Sequence, residues 1–311
     1  MPLLKLSGTI DTAQFWPHGE SDADTVKVSI AGQASPWKYN NKTTRAFDGA
    51  IVHGKVRKPV ADKQNRVTIR LQGIDAPELH YPPKNYRQPL GESATVALGK
   101  LAASIGKQIV PCQVTTQVEK PNDVFDTYGR MVGDVWLTIK GKAANINHWL
   151  AKQGWAFPTF YTSMTSDEIN QIIELSEAAR KSKKNIWRQY SSKIGPLDTT
   201  LLFRKNGQPG ADKGPVVLPK LFRRLCGWQV AKAKGDSNAT TLKAFLDEAK
   251  PPDLFYSTKD ILEHSIHSAT QERLSSVVGS GDVLQLLPKD MTFSEKTSTL
   301  VGPDGKKILN W

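Results

Sequence analysis

Apolar and polar positions alternate through residues 24–30, and again through the residues around Arg70, which predicts two strands with one buried face each. Residues 3–9, 107–119 and 130–139 also read as strands. A helical period runs through Ala94, Val96, Ala97, Leu98, Leu101 and Ala102, which predicts a helix over 91–105. A short helix over 145–152 is stopped by Gly154. Ser166-Asp167-Glu168 caps a longer helix, with acids in its first turn and Arg180, Lys181, Lys183 and Lys184 near its end, as the helix dipole favours. Residues 32–66 are too long for a hairpin and read as an insertion, with an extra strand pair around 50–56. Residues 79–88, rich in Pro and Tyr, read as a surface loop. The Gly/Pro-rich run within 193–215 reads as a linker, and 216–311 as a small α+β domain with a helix at 241–249.

The chain of 311 residues is long enough for two domains. No apolar run reaches membrane-spanning length. The first residues lack a charged region followed by a long apolar stretch, unlike a secretory leader. Cytoplasmic residence, a leader already removed and another export route all stay open. Cys112 and Cys226 read as free buried thiols, and no histidine pattern accompanies them to suggest zinc. The net charge is +12. Residues 1–190 hold 25 Lys and Arg against 17 Asp and Glu, so the excess sits mainly there. A basic surface attracts polyanions with salt-dependent affinity.

Three segments carry candidate chemistry. Ile69-Arg70-Leu71-Gln72-Gly73-Ile74-Asp75-Ala76-Pro77-Glu78 sets an arginine, an aspartate and a glutamate at a strand end and the turn after it. A cation able to grip phosphate beside two carboxylates able to hold a hard metal or activate water is the toolkit of phosphodiester hydrolysis. A strand-end salt bridge is the plainer reading of that cluster alone. Upstream, Asp22-Ala23-Asp24-Thr25-Val26 places acids at a strand mouth. Downstream, Asp126-Thr127-Tyr128-Gly129-Arg130 leads into another strand.

In this order the segments resemble the staphylococcal-nuclease (thermonuclease-like) family, whose patterns are D-x-D-T-V, R-L-x-x-x-D-x-P-E and D-x-Y-G-R. A fourth match runs from Asn147-His148-Trp149-Leu150 to Asn185-Ile186-Trp187. The resemblance covers roughly residues 3–190. It implies a five-stranded oligonucleotide-binding (OB-fold) barrel with helices, which five strands with helices between and after them suit. The expected architecture is α+β and mainly β: a nuclease domain over 1–192 with the insertion at 32–66, a linker, and the small α+β domain over 216–311.

The resemblance also implies site roles. Asp24 and Asp75 match the family's calcium ligands, and Ala76 stands where a backbone carbonyl is supplied. The same oxygen ligands could accept Mg²⁺ or Mn²⁺. Glu78 matches the proposed general base, with His80 a rival two residues on. Arg70 and Arg130 match the two catalytic arginines, since a planar guanidinium holds two phosphate oxygens and stays charged. The plainer reading of Arg130 is an ion pair with Asp126. Tyr128 matches a nucleotide-contacting tyrosine, and Thr127 replaces a common lysine. Phe160 and Tyr161 read equally as base contacts or core, while Trp149, Trp155 and Trp187 read as core. Arg223-Arg224 and Lys232 to Lys234 read as a solvated basic face or as phosphate contacts.

The activity implied is calcium-dependent hydrolysis of DNA and RNA with little sequence preference, leaving 3′-phosphate ends. A catalytically silent nucleic-acid-binding or interaction module is the alternative. A protein partner docking on the C-terminal region is compatible with either. No membrane partner is expected, and the sequence leaves the oligomeric state open.

Overall fold

The computed structural model describes residues 3–30, 37–39, 42–43, 49–52, 54–57, 66–117, 120–194, 197–203, 212–264, 266, 268–295, 298–302 and 304–310. The rest of the expected insertion, and residues 195–196 and 204–211 of the expected linker, lie outside the described residues. Two compact units form, and neither is continuous in sequence. One comprises Met1–Gln72, Val96–Trp149 and Glu295–Trp311; the other comprises Gly73–Thr95 and Leu150–Ser294. The segment expected as a C-terminal domain thus contributes to both.

The first unit is built on a closed five-stranded mixed barrel. Its strands are β1 (Leu3–Asp11), β2 (Thr25–Ile30), β3 (Arg66–Leu71), β4 (Ile109–Gln117) and β5 (Met131–Ile139). β2 pairs antiparallel with β1 and β3, β5 runs parallel to β3, and β4 closes the ring by pairing antiparallel with β5 and β1. Such closure leaves no open edge and matches the expected OB-type barrel. Strict alternation puts Val67, Ile69 and Leu71, and likewise Met131, Val135 and Leu137, into the barrel core.

Buried Asn147 stitches two strand ends of this unit together. Its Nδ2 donates to the carbonyls of Gln72 (3.0 Å) and Gly133 (3.1 Å). The strand pair expected near 50–56 is present as Gly49–Val52 against Lys55–Arg57, and Thr299–Val301 adds a third strand beside it. Residues near the end of the sequence therefore complete a sheet begun in the insertion.

The second unit gathers helices α3 (Ser166–Lys181), α4 (Pro219–Ala233) and α5 (Leu242–Asp247) with a four-stranded sheet. Two further helices, α1 (Gly91–Ala103) and α2 (Ile146–Gln153), precede α3 in the chain. In the sheet, Met291–Phe293 lies between Phe160–Tyr161 and Leu254–Ser257, and Gln271–Arg273 is the outer strand. One core holds Phe157 and Trp187 together with Leu221, Phe222, Phe255 and Phe293. Ala179, Ile186 and Trp187 of the nuclease-like sequence therefore share a hydrophobic core with the α+β region after 216.

The cap of α3 is Thr165 rather than Ser166. Its hydroxyl accepts from the Glu168 amide, and the Glu168 side chain reaches back to the Thr165 amide. The loop at 79–88 exposes only its tip, residues 82–85. Leu79 and Tyr86 pack inward and Gln88 is buried, because Tyr86 joins the core that Val217 and Leu218 line.

Candidate active site

In the barrel unit, Asp24 sits just before β2, and Thr25 pairs with Arg70 of β3 in register. Val132 of β5 flanks Arg70 on the other side. This register brings Arg70 Nη1 to 3.4 Å from Asp24 Oδ2, and the same nitrogen donates to the Leu71 carbonyl at 3.1 Å. Thr25 Oγ1 donates to Asp24 Oδ1 at 3.0 Å and lies 3.5 Å from Arg130 Nη1. Asp24, Arg70 and Arg130 thus join through one polar chain. Asp24 is almost wholly buried at 6% exposure, so its charge needs the guanidinium beside it.

Arg130 is set by the turn before β5. Asp126 Oδ1 accepts from the amides of Tyr128 and Arg130, both at 2.9 Å, and Asp126 Oδ2 accepts from Arg130 Nε at 2.8 Å. Gly129 turns the chain at φ +80°, a conformation that side chains resist. The ion pair with Asp126 is therefore present, and it fixes the guanidinium rather than hiding it. The guanidinium carbon lies 5.4 Å from the centre of the Tyr128 ring, which is 72% exposed. Thr127 is half-buried. Ser298, from the end of the chain, donates its hydroxyl to the Asp126 carbonyl at 2.6 Å and its amide to the Phe125 carbonyl at 3.0 Å.

The remaining site residues belong to the second unit. Gly73 (φ +78°) turns the chain after β3, and a side chain there would strike Ile172 and Met164. Asp75 then lies in a two-residue strand, Ile74–Asp75, paired with Phe157–Pro158. Asp75 is 1% exposed and Ala76 is also buried. Glu78 follows at the loop entrance. His80, the rival base, packs its ring 5.9 Å from that of Phe203.

Sequence reasoning did not find the partner of these acids. Arg223 of α4 places Nη2 3.2 Å from Asp75 Oδ2 and pairs through Nη1 with Glu78 Oε1. The Arg223-Arg224 pair was the only sequence signal, and a solvated basic face was the plainer reading of it. Arg224 instead pairs with Asp253 through Nε and Nη2. Phe160 is wholly buried, which makes it core, while Tyr161 is half-buried.

Both candidate metal carboxylates, Asp24 and Asp75, are buried oxygen donors held against a cationic group, so each environment is already suited to positive charge. Among the described residues no cluster of three or more His, Cys, Asp or Glu converges. Backbone carbonyls, water and substrate oxygens would complete a cation's shell. Among the described residues no helix is long and apolar enough to cross a membrane.

Comparison with known proteins bears on the same segment. Residues 68–189 match the family model described as staphylococcal nuclease homologue. Over this stretch the chain is similar to staphylococcal-nuclease homologues. The matched segment contains Arg70, Asp75, Ala76, Glu78, Thr127, Tyr128 and Arg130; Asp24 precedes it and Arg223 follows it. The Bacillus subtilis (strain 168) protein named endonuclease YhcR is 27% identical over 179 residues. The aligned part is 57% of this chain and only 14% of that protein's length.

Proposed function

We propose that the chain is a calcium-dependent nuclease that hydrolyses DNA and RNA with little sequence preference and leaves 3′-phosphate and 5′-hydroxyl ends. The observation that carries the reading is the polar chain Arg70–Asp24–Thr25–Arg130 at the strand ends of the barrel. Two guanidiniums tied to one buried carboxylate are already oriented for the charge that builds on a pentacoordinate phosphorus. The family resemblance makes Asp24, Asp75 and the carbonyl of Ala76 the candidate ligands of a hard cation, which would supply Lewis acidity toward a phosphate oxygen when bound. Glu78 accepts a proton from the water that attacks phosphorus. The P–O bond to the 5′ carbon's oxygen then breaks, the oxygen keeps the electron pair, and solvent protonates it. Arg70 and Arg130 donate to the non-bridging oxygens, and exposed Tyr128 offers a stacking face to a base. The groups grip backbone and stack bases, which suits weak sequence preference. The endonuclease relative and the nuclease-family match support hydrolysis of nucleic acid as the reaction class.

A silent binding module is the second reading, and the observation that favours it is the pairing of Glu78 with Arg223. The deciding experiment is plasmid and single-stranded DNA cleavage with Ca²⁺, Mg²⁺, Mn²⁺ or chelator, beside Glu78→Gln. Calcium-dependent cleavage reduced about 10²- to 10⁴-fold in the variant is expected for a general base. Salt-sensitive DNA binding without cleavage in any metal would favour the binding module.

A further inference from the structure

Arg223 lies outside the segment that matches the nuclease family, yet its guanidinium bridges the two acids of the second unit to which the reading above gives chemical roles. We propose that Arg223 is an internal counter-cation on Asp75 and Glu78, which a divalent cation must displace before it can bind at Asp75. The inference rests on the assignment of Asp75 as a metal ligand.

The placement of Arg223 is built in from several sides. Helix α4 buries Leu221, Phe222, Leu225 and Cys226 in the core. Its entry is tied to Glu78 by one buried side chain: Gln88 Nε2 donates to the Val217 carbonyl at 2.9 Å, and Gln88 Oε1 accepts from the Glu78 amide at 3.0 Å. Arg224 is fixed by both of its bonds to Asp253, and Lys220 Nζ lies 3.8 Å from the same carboxylate. Neighbouring cations of the helix are thus committed to Asp253, and Arg223 is directed to Asp75 and Glu78.

The chemistry makes it a competitor. A guanidinium is charged at every working pH and its planar fork can serve two carboxylates at once. Glu78 bonded to it has fewer lone pairs to offer water. A second cation at Asp75 meets like-charge repulsion unless the guanidinium moves. The Arg223 side chain keeps 30% of its exposure, so it can return to water without the full penalty of a sealed ion pair. A metal threshold set from α4 is the result.

Calcium binding by the full chain, without nucleic acid, tests this by titration calorimetry. Arg223→Gln should bind Ca²⁺ about ten-fold more tightly than the wild type, within the range of ordinary coupling between linked sites. Arg224→Gln, on the same helix, should bind as the wild type does. Arg223→Lys keeps the charge and loses the fork, and should fall between; it also serves as the readout if Arg223→Gln fails to fold. Unchanged or weaker binding in Arg223→Gln overturns the proposal, as does equal tightening in Arg224→Gln. If neither wild type nor variant binds Ca²⁺, the metal assignment of Asp75 fails and takes the proposal with it. Binding that tightens as expected, in a protein that cleaves nothing, supports the counter-cation and rejects the nuclease reading alone.

Discussion

Glu78 and Gln88 are joined by two hydrogen bonds: the Glu78 amide donates to Gln88 Oε1 at 3.0 Å, and the Gln88 amide donates to the Glu78 carbonyl at 2.8 Å. The remaining Gln88 donor goes to Val217. Gln88→Leu keeps the volume and strands one buried amide and one buried carbonyl. Each such group costs about 1–3 kcal/mol, so a loss of about 3 kcal/mol is expected. Urea unfolding of the two proteins measures it, and a loss below about 1 kcal/mol would mean that water replaces the side chain.

Arg70 and Arg130 should not tolerate lysine. Each guanidinium divides its donors between a neighbouring group and the proposed phosphate, which a single ammonium cannot do. Arg70→Lys and Arg130→Lys are each expected to lower kcat about 10²- to 10³-fold at saturating Ca²⁺, with a smaller change in KM. Single-turnover cleavage of a labelled oligonucleotide checks this. A change confined to KM would reassign the arginine to substrate binding.

Lys220 supplies a pH signature. Burial pushes its ammonium down to about 8, Asp253 opposes that shift, and Arg223 and Arg224 add to it. The folded value lies below the ordinary 10.5. Below the folded value the group is charged in both states and contributes no relief. As pH rises through this interval the native state sheds its proton first, so the contribution to stability grows and is complete above the unfolded value. The stability gap between the wild type and Lys220→Met should therefore shift in the wild type's favour from pH 7 to pH 9.5 in urea titrations. A constant gap would show that Lys220 stays charged.

Cys112 and Cys226 are both buried, and burial pushes both thiols up to about 12. The thiolate is the reactive form. Native protein at pH 8 should react slowly with a thiol-specific disulfide reagent, and urea-unfolded protein should release two equivalents at once. Rapid reaction of either thiol in the native protein would contradict this burial.

The barrel was legible because each of its strands carries its own pattern: β3 and β5 alternate strictly, and the turn at 126–130 announces itself by Asp126 and Gly129. The candidate residues Arg70 and Arg130 stood out for the same reason. Arg223 was not, because its role is defined by Asp75 and Glu78, about 145 residues earlier, and no local rule separates it from Arg224, whose partner is Asp253. The loop at 79–88 misled for a related reason. Its Pro and Tyr content describes its exposed tip, while Tyr86 answers to a core built mainly from segments after 150 and buried Gln88 bonds the Val217 carbonyl.

The Ser298 hydroxyl and the Asp126 carbonyl it bonds are 172 positions apart. During synthesis the turn that carries Arg130 emerges long before this support exists. Strand Gly49–Val52 waits still longer for Thr299–Val301. A growing chain therefore holds its motifs well before it holds their final geometry, and the synthesis of residues 298–301 sets the moment at which that turn becomes rigid.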